Sequence, residues 1–278
     1  MKIEWTELQL KRLNELNASK STKNMAFSSS EERDNSFRKF EKILAAESRK
    51  KLDILKNETK RPEICILKSK LIQALIRNDF VEVITPTILS KGLLEKMTID
   101  DEHELHSQVF WLDDKRCLRP MLAPNLYFIS KDLLRIWEKP VRIFEIGSCF
   151  RKESQGGRHL NEFTMLNLVE WGLPMEERHD RIEKLAAVIM DAVGIKDYRL
   201  EKTESVVYGD TIDIMYKDLE IASASMGPHF LDENWGITDT WVGIGFGLER
   251  ILMILKNSSS ISKIGRSLTY LDGNKLNI

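Results

Sequence analysis

From Phe144 to Asn167 the chain reads FEIGSCFRKESQGGRHLNEFTMLN, and Arg151, Lys152, Glu153, Arg158 and His159 crowd its middle. Apolar runs at residues 142–150 and 163–171 flank this charge, and Gly156 and Gly157 lie between them, so a β-hairpin with a polar tip is expected. A hairpin tip needs only turn residues, so the ionisable side chains there call for another reason. A polyanion bound beside a hydrogen-bonding base supplies one. A guanidinium forks onto two phosphate oxygens, and a carboxylate accepts from an exocyclic amine such as adenine N6. An isolated Arg-Lys-Glu triplet is more often a solvated surface than a binding site.

A second stretch gives the triplet company. Residues 241–250, WVGIGFGLER, read as a strand running straight into an amphipathic helix. Gly243, Gly245 and Gly247 alternate, so they share one face and leave a strip of strand bare of side chains, against which a flat ligand can lie. Arg250 falls in the first helical turn, within reach of a base or a phosphate. No Gly-Lys-Ser/Thr follows and the glycines lie inside the strand, which excludes both the phosphate-loop and the dinucleotide fingerprints.

Together, F-R-x-E at residues 150–153, H-x-x-x-F at residues 159–163 and G-x-G-x-G-x-E-R at residues 243–250 resemble motifs 2 and 3 of the class II aminoacyl-tRNA synthetases. Residues 62–86 have the form of that family's motif 1, a helix and then a strand ending in proline. Phe80, Val83 and Pro86 stand at the expected spacing, and Asp79 replaces the usual glycine at a turn. The resemblance implies an α+β fold, an antiparallel sheet flanked by helices with an N-terminal helical extension. It implies ATP and Mg²⁺ as cofactors, tRNA as substrate and a homodimer built on motif 1. Carried over by position, Arg151 would hold the α-phosphate and Glu153 the adenine. Phe163 and Arg250 would sandwich the base, with Leu160 beside it, and His159 and Arg250 would approach the γ-phosphate. Glu220 and Ser223 would hold the metal. Arg151, Glu153 and Arg250 are thus the implied catalytic residues. Glu220 by itself reads as an exposed strand carboxylate, and its role rests on the resemblance.

Within that family the blocks CLRPMLAPNLY, FEIGSCFRKES, HLNEFTMLN, VYGDTIDI and WVGIGFGLERIL resemble the pyrrolysyl group. That likeness implies pyrrolysine and a suppressor tRNA as substrates. It places Ala123, Leu126, Tyr127, Val169 and Trp241 around a deep apolar pocket, with Met165 and Gly243 also in it. Asn167 would bond the side-chain amide carbonyl, and Tyr208, on a mobile hairpin, would cap the ring. An Asn pointing into an apolar strand environment needs a partner, and a ligand amide is one. Ser130 and Ser225 are smaller or more polar than the aliphatic residues the group leads one to expect. A phenylalanyl or phosphoseryl relative would share the ATP residues with a different pocket. A non-catalytic RNA-binding paralogue would have no use for Arg151, Glu153, Glu220 and Arg250 together.

The elements that position these residues follow from pattern. A helix over residues 6–16 places Leu8, Leu10, Leu13 and Leu16 near helical spacing, and the polar, serine-rich residues 17–30 read as a flexible linker. Ser28 with Glu31, or Ser29 with Glu32, offers a capping box for a helix reaching Leu55. That helix carries a stripe of Phe37, Phe40 and Leu44, and Arg38, Lys39, Lys42, Arg49, Lys50 and Lys51 cover much of the rest. Net charge is −1, yet residues 1–60 hold fourteen Lys/Arg against ten Asp/Glu, a modest surplus that suits RNA phosphates and equally an ordinary solvated helix. Pro62 opens a helix with Ile64, Leu67, Leu71 and Leu75 on one face. A strand at residues 80–84, a short helix at 93–97 and a small hairpin at 108–118 lead to a helix placing Ala123, Leu126, Tyr127 and Ser130 along one side. Residues 175–193 form a helix closed by Gly194, and strands follow at 198–200, 206–215 and 219–226. The expected division is an N-terminal tRNA-binding segment at residues 1–60 and a catalytic domain at residues 61–278.

With 278 residues, 42% of them hydrophobic, and no long apolar run, the sequence points to a cytoplasmic protein with no membrane contact. MKIEWTELQL lacks the apolar core of a signal peptide. Cys65, Cys117 and Cys149 are scattered, as buried thiols in a reducing compartment would be. The extent of the sequence suggests a short form, its tRNA-binding domain absent or encoded as a separate protein.

Overall fold

The computed structural model describes residues 2–152, 159–258 and 260–278. The chain divides into two compact units, one of Met1–Glu63 with Arg266–Ile278 and one of Ile64–Gly265.

In the first unit, α1 (Glu7–Glu15) begins at Thr6, which closes a capping box with Gln9. Residues 17–30 are not a flexible linker. They hold a short helix, α2 (Lys20–Lys23), and an antiparallel bridge between Ile3 and Phe27. Ala18 and Phe27 are buried with Trp5 and Leu13, because the serine-rich spacing hides two apolar anchors that the stripe of Phe37, Phe40 and Leu44 covers. Helix α3 (Ser30–Ile54) starts at Ser29, whose hydroxyl accepts the Glu32 amide, while the Glu32 carboxylate turns back to the Ser28 amide at 2.9 Å. All six basic side chains named on α3 point to solvent.

In the second unit, a seven-stranded sheet carries a core on each face. Its order is β1-β5-β6-β10-β9-β8-β7. The strands are β1 (Val81–Glu82), β5 (Val141–Phe150), β6 (Glu162–Trp171), β7 (Arg199–Ser205), β8 (Gly209–Tyr216), β9 (Leu219–Gly227) and β10 (Trp241–Gly247). All pairs are antiparallel except β1 with β5. Alternation sends Leu166, Leu168, Val242, Ile244 and Phe246 to one face. There they meet α4 (Glu63–Ile76), α7 (Arg178–Val193) and α9 (Leu248–Leu255), through Leu67, Leu71, Ile182, Ile189 and Ile251 among others. The helix α7 stops at Gly194 with φ 76°, a left-handed cap that a side chain would strain.

The opposite face bears Val169, Trp171 and Trp241. Against it lie α5 (Lys91–Glu95), α6 (Ala123–Ile136), α8 (Asp232–Trp235) and a three-stranded sheet of β2 (Ile88–Ser90), β4 (Arg116–Leu118) and β3 (Trp111–Asp113). Asp79 sits at φ 63°, the left-handed turn geometry that glycine usually serves.

A buried network pins α6 and β4 to β5. Arg119 ion-pairs with Glu145 at 2.7 Å, with both side chains almost fully buried, and donates to the Ser148 carbonyl. Asn125 of α6 donates to Thr85 and to the Pro86 carbonyl. The small hairpin is shorter than the sequence suggests, because residues 104–108 turn as a 3-10 helix before β3. Residues 206–208 form the β7–β8 turn rather than opening a strand.

The C-terminal β11 (Tyr270–Leu271) and β12 (Asn274–Lys275) form a two-stranded sheet in the first unit. Asn17 donates to the Gly273 carbonyl and Arg12 to that of Asn277. A division at residue 60 alone had grouped this segment with the catalytic domain.

Candidate active site

Strands β6 and β10 build the floor of the site because their odd-numbered residues share a face. Met165, Asn167, Val169 and Trp171 stand in register with Gly247, Gly245, Gly243 and Trp241. A cavity of about 340 Å³ opens over this strip. Ten of the eleven amino-acid residues expected from sequence line it: Ala123, Leu126, Tyr127, Met165, Asn167, Val169, Tyr208, Ser225, Trp241 and Gly243. Ser130 does not. It lies fully buried behind the cavity on α6, and its hydroxyl finds no hydrogen-bond partner among the described residues.

The deep end of the cavity is aromatic. Tyr127 packs edge-on to Trp171 at 5.5 Å and to Trp241 at 5.7 Å, while Tyr208 approaches Trp241 at 6.4 Å from the β7–β8 turn. Burial pushes the Tyr127 and Tyr208 phenols well above the usual tyrosine range, so both keep their protons. The Ser225 hydroxyl, buried and without a partner among the described residues, shares the cavity wall.

Glu220 and Ser223 are brought together by an irregularity in β9. Residues three apart on a regular strand face opposite ways. Here Ala222 pairs with Ile214 and Glu220 with Met215, so Ile221 is an extra residue, a β-bulge. Ile221 and Ala222 both enter the core, and Glu220 turns to the face of Ser223 and Ser225. Two hard oxygen donors on one face suit Mg²⁺, which takes few protein ligands and fills its shell with phosphate and water oxygens.

A second cavity, about 160 Å³, is lined by Arg151, His159, Leu160, Phe163, Glu220 and Arg250, with Gly245 and Gly247 as its floor. Arg250 donates to the Glu220 carbonyl and pairs with its carboxylate, both at 3.1 Å. Arg151 donates to the Pro120 carbonyl and sets its guanidinium over the Phe163 ring at 5.4 Å. Ser223 lines the first cavity and not this one. Glu153 lies outside the described residues. Glu249, the Glu of the G-x-G-x-G-x-E-R motif, is structural. It is buried, and both its carboxylate oxygens accept the Thr164 amide at 2.9 Å, tying α9 to β6.

Sequence reasoning missed Leu105, Met121, Trp171, Thr211 and Asp213 in the first cavity. Trp171 was legible, since it has the parity of Asn167 and Val169 on β6. Leu105, in a single 3-10 turn, and Met121, in a loop, belong to segments too short to carry such a period.

The two cavities share Arg151, Met165, Glu220 and Gly245, so a molecule in one meets a molecule in the other beside a guanidinium and a carboxylate. An antiparallel sheet with this site on one face, and a glycine-lined strand running into a helix that carries Arg250, is the core of one synthetase class. Residues 57–272 match the family model described as tRNA synthetases class II core domain (F), and the chain belongs to the class II aminoacyl-tRNA synthetases. A crystal structure of pyrrolysyl-tRNA synthetase from Desulfitobacterium hafniense is 54% identical, covers 100% of both chains and superposes with a TM-score of 0.95. A second pyrrolysyl-tRNA synthetase structure from that organism is 53% identical over 99% of this chain and 96% of its own, with a TM-score of 0.92. Within its class, the chain is a member of the pyrrolysyl-tRNA synthetase group. Similarity to the threonine–tRNA ligase of Wolbachia sp. subsp. Brugia malayi is local, 33% over 99 residues, and the chain spans 15% of that protein.

Proposed function

We propose that this chain activates pyrrolysine with ATP and transfers it to the cognate suppressor tRNA. The observation that carries this reading is the junction of the two cavities. The aromatic-lined cavity carries one side-chain amide, Asn167, among largely apolar neighbours such as Ala123, Leu126, Val169 and Trp241, which suits a lysine side chain ending in an Nε-acyl ring. The other cavity suits ATP, its flat floor of Gly245 and Gly247 rimmed by Arg151, His159 and Arg250. The amino acid's carboxylate would then lie at Arg151, where the α-phosphate must also come.

In the first step a carboxylate oxygen attacks the α-phosphorus and pyrophosphate leaves, giving the aminoacyl adenylate. In the second, a hydroxyl of the terminal tRNA adenosine attacks the acyl carbon and AMP leaves. The protein positions the reactants and offsets developing charge rather than bonding to them. Arg151 faces the α-phosphate and Arg250 the outer phosphates. Mg²⁺, held by Glu220 and Ser223, would neutralise charge on the phosphate oxygens. Glu153 is assigned to the adenine by resemblance. Val169 and Trp241, at the depth where phosphoserine would require cations, argue against that substrate.

The exposed cations of α3 suit an RNA backbone. Ile84, 91% exposed at the end of motif 1, with Ile76 and Val81, leaves apolar surface for a second copy, in keeping with a homodimer. Among the described residues no helix is long and apolar enough to cross a membrane. We place the reaction in the cytoplasm.

Amino-acid-dependent ATP–pyrophosphate exchange across pyrrolysine, Nε-acyl lysines, phenylalanine and phosphoserine tests this. Exchange is expected with the amide-bearing lysine derivatives. Exchange driven by phenylalanine or phosphoserine alone would overturn the substrate reading.

A further inference from the structure

Behind the amino-acid cavity, and not among the residues that line it, one buried carboxylate is joined to both of the cavity's walls. Asp232 opens α8 and is 4% exposed. Its Oδ1 accepts the Tyr127 hydroxyl at 3.1 Å and the Trp241 indole N–H at 3.0 Å. Its Oδ2 lies 3.0 Å from the same indole nitrogen and accepts the His229 amide at 2.7 Å. These donors replace the water that a buried carboxylate gives up.

Trp241 is fixed by shape as well. A Cβ on Gly227 would fall 1.9 Å from the indole nitrogen, so the ring lies flat on a bare stretch of β9.

His229 carries the connection to the other wall. Its Nδ1 accepts the Leu231 amide at 3.3 Å, which leaves the ring proton on Nε2, and Nε2 donates to the Tyr208 carbonyl at 2.7 Å. His103 repeats the arrangement from a different loop. Its Nδ1 accepts the Leu105 amide at 3.1 Å, and its Nε2 meets the Val206 carbonyl at 3.2 Å. Two imidazole N–H groups therefore hold the β7–β8 turn that carries Tyr208, and one of them is seated by Asp232.

We propose that Asp232 is a positioning residue that sets the shape of the amino-acid cavity from both sides, orienting Tyr127 and Trp241 directly and Tyr208 through His229. The inference rests on the amino-acid reading of the cavity given above. An acceptor-only group is required, because an indole N–H, a phenol O–H and a backbone N–H all point at it. Asparagine has nearly the same volume but turns an NH₂ toward one of those donors.

The test compares wild type with Asp232→Asn in two measurements. The first is exchange kinetics with a ring-bearing Nε-acyl lysine and with Nε-acetyl lysine. The second is amide hydrogen exchange at residues 206–209 in the unliganded protein. In Asp232→Asn, KM for the ring-bearing amino acid should rise about tenfold, while kcat and KM for ATP stay within about twofold. KM for the acetyl derivative, which does not reach the aromatic end, should change little, and the turn amides should exchange faster. Adding Tyr127→Phe to Asp232→Asn should raise KM by less than the product of the single effects, since both remove one contact. His229→Gln, which keeps an N–H near the place of Nε2, should retain the protection that His229→Leu loses.

Equal KM increases for both amino acids with a falling kcat and melting temperature would make Asp232 merely structural. Unchanged KM and unchanged turn protection would also overturn the proposal. A wild-type protein inactive with every lysine derivative would refute the amino-acid reading, and the turn protection would then still decide whether Asp232 holds the hairpin.

Discussion

Gly245→Ala should disable the site while leaving the fold alone. Gly245 sits mid-strand in β10 and lines both cavities. An added Cβ would meet Met165 Cε at 3.4 Å and Asn167 Nδ2 at 3.5 Å, both ordinary contacts with the ends of flexible side chains. Its backbone is not left-handed, so alanine restricts the unfolded chain without straining the native one, a gain of about 0.4–1 kcal/mol that the new contacts partly offset. The melting temperature should therefore move by no more than about 4 °C. The methyl group would stand on the strip that both cavities share, where the two reactants are proposed to meet. Lifting either by on the order of 1 Å is expected to cost roughly a hundredfold in rate. Gly227→Ala should cost stability as well as the shape of the amino-acid cavity. Its Cβ would displace the Trp241 indole from Asp232. Overpacking and a lost buried hydrogen bond together cost roughly 2–5 kcal/mol, or about 5–15 °C. Scanning fluorimetry paired with ATP–pyrophosphate exchange reads both. A Gly245→Ala protein with wild-type exchange would mean that no ligand lies against β10, and the proposed site would fall with it.

Further outcomes are expected at the site, in the buried network and at the thiols. Arg151→Ala removes a charge-assisted contact that strengthens as charge develops and should cost on the order of 3 kcal/mol of transition-state stabilisation, so near wild-type exchange would refute its role. Asn167→Ala should impair use of amide-bearing lysine derivatives with ATP affinity and melting temperature nearly unchanged; a large fall in melting temperature would show that Asn167 serves the fold. Arg119→Met should lower stability by about 3–5 kcal/mol in denaturant titrations, because it strands the buried Glu145 carboxylate. Burial pushes the Cys117 thiol up to about 11 and that of Cys149 up to about 12, so both stay protonated and resist alkylation in the native protein at neutral pH. Because the unfolded chain releases these protons near the ordinary thiol value, stability should fall as pH rises from there toward the native values. Modification of either thiol at pH 7 without unfolding would contradict this.

What the sequence settled by itself is what depends on local period and on residue type. Alternating glycines between Trp241 and Gly247 declared a strand with one bare face, and the run after it declared α9, because both patterns are complete within ten residues. The hairpin of β5 and β6 was legible for the same reason, as were the helix faces of α4 and α6. The phosphate roles proposed for Arg151, His159 and Arg250 came from the family resemblance, and the three residues do line one cavity. The first unit was harder to read. Residues 17–30 looked like a linker because Ala18 and Phe27 are too few to make a period, and only contact with Trp5 and Leu13 shows them to be anchors.

Tertiary structure alone decided the rest. No pattern announces the extra residue at Ile221, yet that bulge reverses the parity of β9 and puts Glu220 on the face of Ser223. The helical spacing that set Ser130 beside Tyr127 was right, but where the cavity ends is fixed by what packs in front of it, and Ser130 lies beyond that end. Asp232 gave no signal at all. A carboxylate in a short polar turn reads as surface until the fold closes Tyr127, Trp241 and His229 around it, from positions up to 105 residues away. Period and composition are properties of neighbours along the chain, whereas burial, register and hydrogen-bond satisfaction belong to residues that only folding makes neighbours.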